Sequence, residues 1–411
     1  MATGVCSSLL HNFPYQNGTN ALKIAALSLF LSDLVLFALL CVWAITRCTM
    51  FPKVFHALMW TDPATSLFIG FFTNGAATLI NAALSVNTDW GTGDKALLYT
   101  LWGLWWLDCV LACIIAFGLV YVMIGQKYTD LSKLRPVWMV PIITLISMSA
   151  SGGLFARSLL PHSHLMAILS ASVSATMLAI GLSFTMMLTT AFLLRLFLHG
   201  PLDATVVLTT FTTLTPLGQG GFSMLISGKN IADILAQPPA PAPSSQLAGA
   251  VVYSICICGA YVLWSMGLAW IAIACFSICR RARDLPQFSI THWCIVVPNG
   301  VFASLSLQLG VALDSGFFRV FGAVWTCIVL LLWIIMFCRS VVAIWDGSMF
   351  NKPGSAAAKP AMQGEAADNK LDEGGPAHIE VLPSLKPSDV ESVIETLCPS
   401  EDDSPKNDSV V

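Results

Sequence analysis

Residues Ile24–Thr46 read IAALSLFLSDLVLFALLCVWAIT, 23 positions with one charge, Asp33. A hydrocarbon core about 30 Å thick takes roughly 20 helical residues to cross, whereas a strand needs only about 9–11. Open sheets leave edge groups unpaired in lipid, so this stretch is read as a transmembrane helix. Working outward, the same character recurs at Thr65–Val86, Leu97–Ile124, Val137–Leu159 and Leu165–Phe197. It continues at Ala204–Ile226, Ala248–Cys279, His292–Leu313 and Phe317–Val342. Met1–Leu10 is half a span long and lacks the basic n-region and cleavage site of a signal peptide. Counting it gives ten segments. Hydrophobic residues make up 56% of the 411 positions and charged residues 10%, far below the roughly 25% of a soluble domain. The expectation is an all-α integral membrane protein over residues 1–342, with a small solute and the bilayer as partners, no nucleic acid, and room for a homo-oligomer.

After Val342 the character changes. The segment 343–411 carries 13 acidic residues against five lysines and few aromatics, a composition that reads as a disordered cytoplasmic tail. Orientation follows from short-loop charge. Loops after even spans hold nine Lys and Arg, among them Arg47, Lys133 and Arg280, and loops after odd spans hold five. Both termini are therefore expected in the cytoplasm. The sequon Asn17-Gly18-Thr19 then falls in the first outer loop as a glycosylation candidate, and Pro238–Pro243 in the fourth.

The 13 cysteines lie mostly inside apolar spans, where Cys behaves as a small hydrophobe. No CxxC pair or Cys/His spacing resembles a zinc site, and no metal or cofactor is expected. His11 and the other histidines near span ends are assigned packing or interface roles.

Prolines inside spans occur at Pro141, Pro216 and Pro298, in the fifth, seventh and ninth segments. Glycines cluster nearby at Gly152 and Gly153, at Gly218, Gly220 and Gly221, and at Gly300. Backbone groups freed by such residues survive at membrane depth only inside protein or beside a watery cavity. The alternation predicts an inner ring of broken odd helices within an outer ring of even ones. The odd spans also carry Asn74, Asn81, a threonine run ending at Thr215, Gln219, Asn299, Ser304 and Gln308, with no acid in their interiors. Amide, hydroxyl and backbone N–H donors without carboxylates favour an anion. Asp33 and Asp108 lie within even spans and admit two readings, hydrogen-bonded helix contact or a proton site.

The run Pro216-Leu217-Gly218-Gln219-Gly220-Gly221-Phe222 resembles the PLGQGGF signature of fungal sulfite efflux pumps. These belong to the tellurite-resistance/dicarboxylate transporter superfamily, with malic acid permeases and plant slow-type anion channels. Met1–Val5 with Leu9–Tyr15 is similar to the family's MGTGIVSILLHNLPY, Trp105-Trp106-Leu107-Asp108 resembles WWID, and Ser151-Gly152-Gly153 its ASGG. The resemblance runs from Met1 to about Phe350. It implies ten helices in five hairpins, the odd ones around a central pore, with the first helix truncated in this chain.

The residues then expected along the pore are Asn74, Asn81, Gly152, Gly153, Thr215, Gly218, Gln219, Gly220, Gly221, Asn299 and Ser304, with Phe222 and Val297 as gate. Relatives often have Phe just before the ninth-span proline, where this chain has the smaller Val297. The implied function is plasma-membrane export of sulfite with no enzymatic step, driven by about 2.3 kcal/mol per charge per 100 mV. No GxxxxGK[ST] loop is present for ATP. The alternative is a malate or C4-dicarboxylate transporter, proton-coupled through Asp33 or Asp108.

Overall fold

A computed structural model of the chain describes residues 1–15, 19–52, 67–91, 93–125, 131–236, 243–284 and 288–347. Asn17 and all of the tail beyond residue 347 lie outside the described residues. Among the described residues ten α-helices follow one another: α1 (Ala2–His11), α2 (Asn20–Met50), α3 (Gly70–Trp90), α4 (Asp94–Gly125) and α5 (Val140–Leu159). Then come α6 (His164–His199), α7 (Leu214–Leu235), α8 (Pro243–Arg281), α9 (Val296–Ala312) and α10 (Gly316–Trp345). No strand occurs among the described residues.

Each odd helix packs against the even helix that follows it, giving five hairpins. The odd helices also touch one another in a closed circuit, α1 to α3, α3 to α5, α5 to α7, α7 to α9 and α9 back to α1. Almost every residue of α5 is buried, whereas α2 buries only Ala26 and Asp33. The outer helices instead expose large apolar side chains such as Leu39, Leu107, Phe197, Leu247 and Leu331. A belt of this extent is untenable in water and is what a lipid-facing surface requires.

Seven of the helices are long and apolar enough to cross a membrane. Among those that fall short, α3 and α7 sit in the inner ring. They pack against neighbouring helices, and their Asn74, Asn81, Gln219 and Asn230 are buried or half-buried there. The fold is that of an all-α, multi-pass membrane protein.

Two expectations need correcting. The prolines and glycines do not break the odd helices. Pro141 lies at the second position of α5, and Pro216 and Pro298 at the third positions of α7 and α9. A proline in the first turn removes an N–H that has no helical partner anyway. Short 3₁₀ turns lead into these helices at Pro136–Met139, Val207–Thr213 and Ile290–Ile295, and a further one, Leu67–Ile69, leads into α3. The irregularity sits at helix entries, while Gly152, Gly153 and the Gly218–Gly221 cluster lie in continuous helix. The seventh helix is also shifted along the chain, starting at Leu214 rather than Ala204. It runs past Ile226 to Leu235, helped by an i,i+4 ion pair of 2.7 Å between Lys229 and Asp233.

The glycines allow close contact instead. A Cβ on Gly152 would lie 2.5 Å from the Trp105 ring, and one on Gly153 2.7 Å from Ile226. Buried polar bonds fix the same contacts. The Ser149 hydroxyl meets that of Ser223 at 2.5 Å, Ser174 Oγ donates to the Ser149 carbonyl, and Asn230 Nδ2 donates to the Gly153 carbonyl at 2.7 Å. Trp264 Nε1 reaches Ser306 Oγ at 2.9 Å between α8 and α9. Where the ring closes, Trp333 Nε1 of α10 donates to Thr3 Oγ1 of α1 at 3.2 Å.

Candidate functional site

At the end of the bundle where the odd helices finish, a cavity of about 330 Å³ opens between them. At about 30 Å³ per water it has room for roughly ten, enough for a small hydrated ion. All five inner helices border it, and among the described residues no outer helix does. α1 contributes Ser8, His11 and Asn12, and α3 contributes Thr78, Asn81, Ser85 and Thr88. α5 adds Arg157 and Ser158, α7 adds Gln219 and Phe222, and α9 adds Ser304 and Gln308. The spacing on α3 is i, i+3 or i+4 throughout, so one face of the helix is a polar stripe along the cavity. Apolar side chains, including Val5, Leu154, Ile226, Val301 and Leu307, fill the gaps between these groups.

Among the described residues the lining contains one arginine, one histidine and no carboxylate. The carboxamides of Asn81, Gln219 and Gln308 make no hydrogen bond among the described residues, and Asn81 Oδ1 is buried without a partner. These amides are free to donate to a solute. The hydroxyls of Thr78, Ser85, Thr88 and Ser304 donate to carbonyls of their own helices at 2.7–3.2 Å. A hydroxyl hydrogen rotates, so each can turn from the backbone to an anion. At the mouth, His11 Nδ1 lies 2.7 Å from Asp89 Oδ2, and Lys23 Nζ lies 3.4 Å from Asp89 Oδ1. This group joins α1, α2 and α3 and neutralises its own charge. The cavity thus offers an anion several neutral donors and a positive charge.

The sequence model of the voltage-dependent anion channel family matches residues 1–341. The chain belongs to this family. It is 28% identical over 342 residues to a sulfite efflux pump of Trichophyton rubrum, an alignment covering 83% of this chain and 88% of that one. The same figures hold for a sulfite efflux pump of Arthroderma benhamiae. Similarity to a sulfite efflux pump of Saccharomyces cerevisiae is 23% over 267 residues, covering 56% of each.

As a member of the voltage-dependent anion channel family, the chain carries its candidate pore residues in two sets. Asn81, Gln219, Phe222 and Ser304 border the cavity. Asn74, 1% exposed, lies one helical turn before Thr78 on the same face of α3, with Oδ1 unpartnered. The remainder are not in the lining. Gly218 abuts Phe302, Gly220 faces Leu182 of α6, and Gly221 faces Leu305. Thr215 is buried near the start of α7, and Asn299 donates to the Ile295 carbonyl at the entry of α9. Val297 packs with the cluster of α1, α9 and α10, one turn before Val301 on the same face of α9.

Neither intramembrane acid borders the cavity. Asp33 Oδ1 accepts from the Met1 amino group at 3.0 Å, and Asp108 is buried with Oδ2 unpartnered. Sequence reasoning missed Arg157 and His11, which were counted as loop and interface residues. Carrying the Asn74–Thr78–Asn81 stripe onward by helical steps reaches Ser85 and Thr88. The same step on α5, from Leu154 to Arg157 and Ser158, would have found the guanidinium.

Proposed function

We propose that the chain exports sulfite from the cytoplasm across the plasma membrane, through the axis of the inner ring and down the membrane potential, with no chemical step. One observation carries the reading. Five helices converge on a cavity that presents free amides, rotatable hydroxyls and a cation, and no carboxylate of a described residue borders it. Sulfite is a mono- or dianion at cytosolic pH, and neutral donors with one positive charge stabilise it without trapping it. The likeness to sulfite efflux pumps over most of the chain supports the choice of anion. Both termini lie in the cytoplasm on this reading, and the cavity opens to the outside.

The test is reconstitution in liposomes loaded with sulfite, malate or chloride, with voltage set by a potassium gradient. Sulfite flux should follow voltage and exceed malate flux. A C4-dicarboxylate is the second reading, favoured by the meeting of Arg157 and His11 at one mouth, since a second carboxylate needs its own partner. Against it stand Asp33 and Asp108, both away from the cavity where a coupled proton would be needed. Malate flux exceeding sulfite flux and collapsing without a proton gradient would establish that second reading.

A further inference from the structure

The helices α1, α3 and α5 each place a last-turn residue in the cavity lining, His11, Thr88 and Arg157, and α9 places Gln308 just before its last turn. A helix C-terminus carries a partial negative charge of about half an elementary unit. Four such ends gathered around one opening oppose the passage of an anion. Of the other basic residues in the loops on this side, Lys95 does not line the cavity, and three are held by carboxylates. Lys23 pairs with Asp89, Lys229 with Asp233, and Arg319 with Asp314. His11 shares Asp89. Arg157 alone of the basic residues in the lining makes no ion pair or hydrogen bond with a described residue, and it is solvent-exposed there.

We propose that Arg157 is an anion-binding subsite at the cavity mouth. It holds an oxyanion such as sulfite by its guanidinium fork, with Ser158, Gln308 and Thr88 as neighbouring neutral donors, and cancels the repulsion of the helix ends. This rests on the proposed anion transport and assigns one of its steps to a residue. The fork of five N–H groups matches two oxygens of a planar or pyramidal oxyanion. A spherical halide gains only the charge. The subsite therefore favours oxyanions over halides. Being exposed, it is weakened by salt.

A different role for the same residue is to stabilise the end of α5, as basic residues in a last turn do. The experiment separates the two. Sulfite flux is measured against concentration in proteoliposomes for the parent, Arg157→Gln and Arg157→Lys, at low and high ionic strength. Arg157→Gln should raise half-saturating sulfite about three- to tenfold, change maximal flux little, and abolish its salt dependence. Arg157→Lys should keep the salt dependence and lose part of the preference for sulfite over chloride.

A second measurement does not depend on transport. Phenylglyoxal modification of Arg157 in the detergent-solubilised full chain, followed by mass spectrometry, should be slowed by sulfite while modification of Arg319 is unaffected. Unchanged half-saturation with a lowered melting temperature, or no protection by sulfite, would overturn the subsite. If the parent carries malate or chloride in place of sulfite, the choice of substrate fails separately. The same concentration series and protection assay with that anion then decide on Arg157.

Discussion

Gly218 and Phe302 touch backbone to backbone: a Cβ on Gly218 would lie 2.8 Å from the Phe302 amide nitrogen and 2.9 Å from the Val301 carbonyl carbon. This is the contact that sets α7 against α9, and no rotamer change can relieve it. Gly218→Ala should therefore destabilise the protein by at least the 1–3 kcal/mol typical of overpacking, seen as a lowered melting temperature and poor recovery from detergent. Gly220→Ala is the control. Its nearest obstacle is the flexible end of Leu182 at 3.0 Å, so it should remain folded and transport at near the parental rate.

Gln219 is the residue of the Pro216–Phe222 motif whose amide borders the cavity without a hydrogen-bond partner among the described residues. Gln219→Leu should lower sulfite flux about tenfold, the effect of one lost hydrogen bond to a charged group, with melting temperature unchanged. Gln219→Glu should lower it further by placing a carboxylate in the anion's path. Parental flux in both variants would remove Gln219 from the site.

Phe222 and Val297 divide the proposed gate. Phe222 borders the cavity, and Val297 lies one turn before Val301 on α9, where the apolar lining would narrow the axis. Apolar constrictions block ions by dewetting, and their bore sets the barrier. Phe222→Ala and Val297→Ala should raise sulfite current, and Val297→Phe should lower it. Current indifferent to size at both positions would place the constriction elsewhere.

The nine-to-five distribution of Lys and Arg between the two sets of loops predicts that both a tag after Val411 and one inserted between residues 284 and 288 are shielded from external protease in intact cells. Cleavage of either tag from outside would reverse the orientation and place Arg157 on the cytoplasmic side.

Asp108 is away from the cavity lining. Asp108→Asn, nearly isosteric, should preserve sulfite flux and its indifference to a proton gradient. A selective loss of proton-driven malate uptake in this variant would favour dicarboxylate symport.

The sequence was most legible where one force dominated. The span of α2 follows from the length of its apolar run, and the split between inner and outer helices was read from the alternation of prolines and glycines, although these mark helix entries and close contacts rather than breaks. The motif glycines were harder. Gly220 and Gly218 stand two residues apart in one helix, yet face different neighbours, and which neighbour a glycine admits depends on helix rotation that a one-dimensional motif does not encode. Arg157 was hidden for another reason. A basic residue at a span's end normally reports topology, and only the convergence of the five inner helices turns it toward a shared cavity.

Trp333 and Thr3 meet across an interval of 330 positions, and α1 also packs against α9. Synthesis runs from one end of the chain, so the seam between first and last hairpins closes only after α10 is made. Until then, the polar flanks of α3, α5 and α7 have no complete enclosure within the bilayer. The final hairpin is thus the keystone of the ring, and removing it should leave the inner helices open on one side.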